Sequence, residues 1–193
     1  MAARTGAGRT AIIKAGYQLI AELGYPGATT ALICARAGVS SGTFFHYFPT
    51  KVDLLLGILD ADADDSHGRA ERSADASSDA DTALSAWLDA LLEEASDPHF
   101  AGFVAALGTA PSDPRLDVQL ARAASGQRDA LTAIVSAGQQ QGIWRTDLEA
   151  GRLALWVGVI ADGVLARRVE DSSFDTSSAS RELRDLIARY LAP

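Results

Sequence analysis

The sequence predicts an all-α protein of about nine helices, on three observations. Apolar residues recur three and four positions apart along most of the 193 residues, which is the spacing of one helix face. No stretch alternates apolar and polar residues with period two, and no repeat of fixed length occurs. Breaks carrying proline or glycine, at 24–27, 49, 111–114 and 142, separate the periodic stretches.

A first helix is predicted over about Thr10–Leu23, with Ile12, Gly16, Leu19, Ile20 and Leu23 on one face, closed by Gly24-Tyr25-Pro26-Gly27. Residues 27–51, GATTALICARAGVSSGTFFHYFPTK, then read as a helix-turn-helix with its motif at about 29–48. Thr29 suits the cap of a short helix over about Thr30–Arg36, because its side-chain oxygen accepts an unpaired N–H of the first turn. Gly38 suits a turn position of positive φ, where a Cβ would be strained. Ser40 suits the cap of a second short helix over about Ser41–Tyr47, and Pro49 ends it. A fourth helix opens on Thr50 with Asp53 three residues later, a capping-box arrangement. Its apolar face is Leu54, Leu55, Ile58 and Leu59.

Residues 60–82 hold few large apolar side chains and read as a solvated helix end followed by a loop around 73–80. His67, among aspartates there, reads as solvated surface and not as a metal ligand. Further helices are predicted over about 82–95, 98–109, 115–141, 147–170 (with Thr146 and Glu149 as its cap) and 178–191. This places the domain boundary near 58: a three-helix helix-turn-helix domain over 1–58 and a helical domain over 59–193.

Charge is divided along the same line. The whole chain carries −8. Residues 1–51 hold Arg4, Arg9, Lys14, Arg36 and Lys51 against Glu22 alone, a net +4, and the remainder carries −12. A basic head on an acidic body suits a protein that docks one end on a polyanion. Two short helices joined at an angle by a glycine-bearing turn are the unit that places a recognition helix in the DNA major groove.

The 48% apolar content is enough for a core, and no run approaches the roughly 18 apolar residues of a membrane span. The N-terminus has no apolar stretch of signal-peptide type, so a cytoplasmic protein without membrane association is expected. A single cysteine, Cys34, makes neither an internal disulfide nor a metal site and is expected as a small buried residue. No P-loop, G-x-G-x-x-G or H-E-x-x-H occurs, so neither an enzyme nor a cofactor is expected.

Over about residues 9–58 the chain resembles the TetR family of one-component transcriptional regulators. The matching residues are Thr29-Thr30, Ile33-Cys34, Ala37-Gly38-Val39-Ser40, Gly42-Thr43, Tyr47-Phe48 and Lys51. Cys34 stands where the family has alanine, and Phe45 where tyrosine is common, which removes one phosphate-contacting hydroxyl. The resemblance implies a ligand-responsive regulator, a repressor that binds a palindromic operator in double-stranded DNA as a homodimer. It implies release by a small-molecule inducer that enters the helical body, the ligand-binding and dimerisation domain. The rival reading is a helical protein-interaction or lipid-binding module whose helix-turn-helix is only structural.

Within the head, Ile33, Val39, Phe44 and Phe48 read as the small core. Ser41, Gly42, Thr43 and His46 are expected to face bases, with Ser40 beside them. Thr30, Arg36, Tyr47 and Lys51 are expected to hold phosphates. Lys51 is notable because a cation in the first turn of a helix opposes the helix dipole, and a phosphate there would explain it. In the body, Trp87, Phe100, Phe103, Leu107, Trp144 and Trp156 are core or, as the resemblance implies, walls of an inducer cavity for an apolar or aromatic molecule. Leu153–Ala161 is apolar all round, so more than one of its sides is covered. Leu155 and Val159 on it, with Leu183, Leu186, Ile187 and Tyr190 of the tail helix, form the expected dimer interface. Asp162 meets either a cationic ligand or an arginine, Arg167 or one across the dimer.

Overall fold

A computed structural model describes residues 2–61, 79–171 and 173–193. The loop expected at 73–80 and His67 lie almost wholly outside them. Every regular element among the described residues is helical: α1 (Ala2–Gly27), α2 (Thr30–Ala37), α3 (Ser41–Tyr47), α4 (51–61), α5 (Ala80–Ser96), α6 (Phe100–Leu107), α7 (Pro114–Gln140), α8 (Ala150–Glu170) and α9 (Thr176–Leu191).

The local signals act as their chemistry requires. Thr29 Oγ1 accepts from the Leu32 amide at 3.3 Å, and Ser40 Oγ accepts from the Thr43 amide at 3.1 Å. Gly38 ends α2 in the left-handed conformation, φ 66°. Asp53 Oδ2 accepts from the Thr50 amide at 2.8 Å, and Thr50 Oγ1 accepts from the Asp53 amide at 3.1 Å, which completes the capping box of α4. Gly24 breaks α1 with φ 72°, after which one further turn carries Pro26. Leu23, expected on the buried face just before that break, is instead exposed.

The start of α8 differs from expectation. Thr146 and Glu149 make no capping box; Glu149 itself is the N-cap and has no side-chain cap bond. Asp147 instead pairs with Arg145, so the turn before α8 is held by a local ion pair.

The chain packs as two compact units, Met1–Ala63 with Pro98–Leu120, and Asp64–Asp97 with Ala121–Pro193. The boundary read from the sequence at 58 is therefore not the packing boundary. Residues 98–120 join the helix-turn-helix because Phe103, Ala106 and Leu116 complete its core around Ile12, Ile20, Ile33, Phe44, Leu54 and Leu55. Gly102 lets α6 lie against α1: a Cβ there would stand 2.4 Å from the Ala21 carbonyl oxygen. The second core gathers Leu84, Leu88, Leu131, Val135, Leu153, Val157, Leu183 and Ile187 from α5, α7, α8 and α9.

Candidate nucleic-acid interface and effector site

The small hydrophobic core of the helix-turn-helix sorts its side chains into inward and outward sets. Ile33, Phe44 and Phe48 are buried, and Val39 packs against them. Ser40, Ser41, Gly42, Phe45 and His46 are exposed, and Thr43 and Tyr47 are half-buried. The exposed residues of α3 thus form one continuous open face, and α3 is capped at its start by Ser40 and stopped after Tyr47.

Each expected contact residue can now be placed. Thr43 shares its hydroxyl with Ser40, Oγ1 to Oγ at 2.9 Å, so its methyl is the freer end. A Cβ on Gly42 would meet only Ser40 Oγ, at 3.7 Å. The protein's own packing therefore does not require glycine there, while a surface brought close from outside would. Tyr47 packs on the head core, and its ring lies near Gly8, where a Cβ would be 3.5 Å from it. Thr30 is half-buried in the first turn of α2.

The two cations of the set are engaged within the fold. Arg36 donates to Glu22 at 2.6 Å, and its guanidinium holds the Glu22 carboxyl below the usual carboxylate range. Lys51 Nζ donates to the Tyr25 carbonyl at 2.6 Å and lies 4.2 Å from the centre of that ring. Burial pushes the lysine's pKa down from its ordinary value. The tie to Tyr25 explains a lysine in the first turn of α4 without a phosphate, which the helix dipole alone did not.

The sequence marks Phe45 only as a lost hydroxyl. It is half-exposed on α3, edge-on to Phe44 with ring centres 5.2 Å apart. The signal available was its position: one residue from Phe44 on a helix this short, it cannot share the buried side.

The aromatic set proposed for the body does not come together. Phe100, Phe103 and Leu107 belong to the first unit, where Phe103 and Leu107 pack with the head core. Trp144 is buried in the second core, with Trp87 packed against that core. Trp156 is 49% exposed on α8. A cavity of about 280 Å³ is present in the first unit, lined by Leu55 of α4, Leu107, Pro111, Asp113, Leu116 and Leu120. Of the expected wall residues only Leu107 reaches it.

The expected dimer residues also divide. Leu183 and Ile187 are buried in their own subunit's core, because α9 turns that side onto α5 and α8. Leu155, Val159 and Leu186 are about half-exposed, and Trp156 joins them. Asp162 lies on the exposed side of α8, and partial desolvation raises its pKa. Arg167 is turned to Glu170, at 3.4 Å, and not to Asp162.

Among the described residues no group of histidine, cysteine, aspartate and glutamate is placed to hold a metal, and no helix is long and apolar enough to cross a membrane.

Residues 12–58 match the family described as bacterial regulatory proteins, tetR family. The chain is 25% identical over 178 residues to the fatty acid metabolism regulator protein of Bacillus subtilis, covering 91% of both chains. It is 43% identical over 51 residues to the HTH-type transcriptional regulator BetI of Stenotrophomonas maltophilia, 26% of each chain. Among solved structures, the transcriptional regulator FadR of Bacillus subtilis in complex with stearoyl-CoA superposes with a TM-score of 0.79 at 23% identity, covering 94% of this chain and 98% of that one.

Proposed function

We propose that the chain, whose residues 12–58 match the TetR family of bacterial regulatory proteins, is a homodimeric repressor of a palindromic operator, released from DNA by a small apolar or aromatic molecule. The observation that carries the DNA-binding part is the open face of α3. Ser41, Gly42, Phe45 and His46 stand outward on a helix whose opposite side is fixed by buried Phe44. Ser41, Gly42, Thr43 and His46 face base edges, with Ser40 at the rim and Phe45 offering an apolar contact to a thymine methyl. Thr30, Arg36, Tyr47 and Lys51 hold phosphates, Arg36 by turning from Glu22 and Lys51 through the donors that its tie to Tyr25 leaves unused. In chain terms the DNA-binding part is 1–58 and the sensing and dimerising part 59–193.

The exposed apolar row Leu155, Trp156 and Val159 on α8, with Leu186 on α9, supports a dimer, since such a patch is unfavourable in water. Tyr190, of the expected interface, is half-buried against its own subunit's core. Two heads then place their recognition helices about 34–36 Å apart, one turn of DNA. An inducer must bind the released state more tightly than the DNA-bound one, or it shifts nothing. The cavity beside Leu55 and Leu116 has a mixed lining, with Ser112, Asp113 and Asp117 among its leucines, and does not by itself select an apolar effector. The likeness to a regulator of fatty acid metabolism supports one.

The relatives are regulators and not enzymes, and the protein is expected to work in the cytoplasm on double-stranded DNA. The test is retention of genomic fragments by the pure protein, followed by mobility shift on those retained. Binding to one or few fragments that weakens steeply with salt is the expected result. Binding to no fragment would favour the helical interaction or lipid-binding module.

A further inference from the structure

Two helix caps in the first unit share one guanidinium. Asp113 caps α7: its Oδ1 accepts from the backbone amide of Arg115 at 2.9 Å. Asp53 caps α4 through its Oδ2, which accepts from the Thr50 amide at 2.8 Å and the Thr50 hydroxyl at 2.7 Å. The Arg115 side chain joins the two. Its Nε and Nη2 donate to Asp113 at 3.1 and 2.9 Å, and its Nη1 donates to the remaining oxygen of Asp53 at 2.8 Å. A second tie lies further along, where Gln119 of α7 donates to Asp60 of α4.

We propose that Arg115 is a positioning residue for DNA recognition, fixing the first turn of α4 against the first turn of α7 and thereby the direction in which α3 is presented. This rests on the DNA-binding reading above. Three residues, Phe48, Pro49 and Thr50, separate the end of α3 from the start of α4. Phe48 is buried and Pro49 is rigid, so α3 follows the first turn of α4 closely. Beyond its Arg115 turn, α7 continues as one helix to Gln140, so Arg115 ties α4 to the helix by which the chain leaves the first unit.

Magnitudes separate orientation from stability. The Arg115 side chain is 56% exposed, and ion pairs at such sites contribute little to folding. Buried Leu54, Leu55 and Leu116 hold the helices together whether or not the arginine is present. A guanidinium forked over two carboxylates is, however, strongly directional. Lysine, a point charge with free rotation, cannot reproduce the fork.

The test uses the full-length protein and a fragment that the wild type retains, in its natural form and with the half-sites moved one base pair closer or farther. Arg115→Ala is expected to keep the thermal midpoint within a few degrees and to bind the natural spacing about fivefold more weakly. The preference for natural over shifted spacing should shrink, and Arg115→Lys should lie between Arg115→Ala and wild type. Unchanged affinity and spacing preference in Arg115→Ala would overturn the positioning role. Equal weakening on every spacing with a lowered midpoint would overturn it too, leaving a structural arginine. If Arg115→Ala does not fold, Arg115→Lys decides: a wild-type spacing preference in it removes the role. A wild type that retains no DNA overturns the DNA-binding reading, and this inference with it.

Discussion

Lys51 and Tyr25 are joined twice: the ammonium donates to the tyrosine carbonyl at 2.6 Å and lies over its ring at 4.2 Å. The carbonyl belongs to the last turn of α1, beyond the break at Gly24. An ammonium carries three donors and only one is used there. Lys51→Ala is therefore expected to do two things. The thermal midpoint should fall, as a cation–π contact of about 0.5–1 kcal/mol and a charge-assisted hydrogen bond are lost. The slope of log affinity against log salt should flatten by about one phosphate contact. A salt titration beside a thermal melt reads both; a lowered midpoint with an unchanged slope would confine Lys51 to its internal role.

On the proposed reading, Glu22 competes with DNA for Arg36. The pair is 2.6 Å long and both side chains are 39% exposed, so holding it closed gains little in water. Glu22→Gln removes one negative charge from the head and frees the guanidinium. Binding to any DNA sequence should tighten by roughly three- to tenfold at low salt, with the gain fading as salt rises. Mobility shift on the operator and on unrelated DNA checks this. A gain confined to the operator would instead assign Arg36 to base recognition.

Much of this was legible in the sequence wherever one residue's chemistry sets the structure. Thr29, Gly38, Ser40 and the Thr50–Asp53 box act at the positions read for them, because caps and positive-φ glycines depend on neighbours three or four residues away. The placing of Trp156 and of Phe103 was not legible. Helical periodicity marks which residues are apolar, but a stripe apolar on every side, as at Leu153–Ala161, does not say which side its own subunit covers. Likewise nothing local in Phe103 or Leu116 ties them to the head core; that needs the distant contact of α6 with α1. The Arg115–Asp53 tie spans 62 residues and has no sequence signature.

The exposed side of α8 gives the assembly prediction. Leu155, Trp156 and Val159 are 53%, 49% and 48% exposed, and Leu186 of α9 is 51% exposed. Trp156→Glu with Leu186→Glu should yield a folded monomer that loses operator binding, because charges buried without partners in an interface cost several kcal/mol. In the wild type, dilution should red-shift tryptophan emission as Trp156 enters water. Light scattering that shows a wild-type monomer at micromolar concentration would refute the two-headed arrangement. The same result for Leu183→Glu would carry no such meaning, since Leu183 is core and its loss would unfold the subunit.

Acid should loosen the caps of α4 and α7. Hydrogen bonds from Thr50, and then from Arg115, hold the Asp53 carboxyl below the usual carboxylate range; those from Arg115 do the same to Asp113. A carboxyl whose folded value is depressed contributes stability above its ordinary value, and that contribution is lost as pH falls through the folded one. The loss should therefore begin near pH 4 and deepen below it. Asp53→Asn should flatten that decline and cost about 1 kcal/mol at neutral pH through the weakened cap. Melts between pH 3 and 7 decide it; a wild-type acid profile in Asp53→Asn would place the sensitive groups elsewhere.

Two glycines on α7 are opposite tests of the same substitution. At Gly138 a Cβ would stand 2.0 Å from Trp144 Cε3 and 2.5 Å from its Cδ2. Trp144 is 7% exposed, and its loop is fixed on both sides. Arg145 donates to the Leu191 carbonyl at 2.9 Å, and Gln139 donates to the carbonyls of Arg145 and Leu148, each at 2.8 Å. The indole therefore cannot retreat cheaply. Alanine in a helix interior gains about 1 kcal/mol over glycine, but overpacking a fixed core costs about 1–3 kcal/mol or more. Gly138→Ala should be destabilised, with altered Trp144 emission in the folded state. At Gly126 no atom lies within 4 Å of an added Cβ, so only the helical gain remains and Gly126→Ala should raise the midpoint by a few degrees. Equal stability of the two variants would mean that Trp144 does not hold the position seen here.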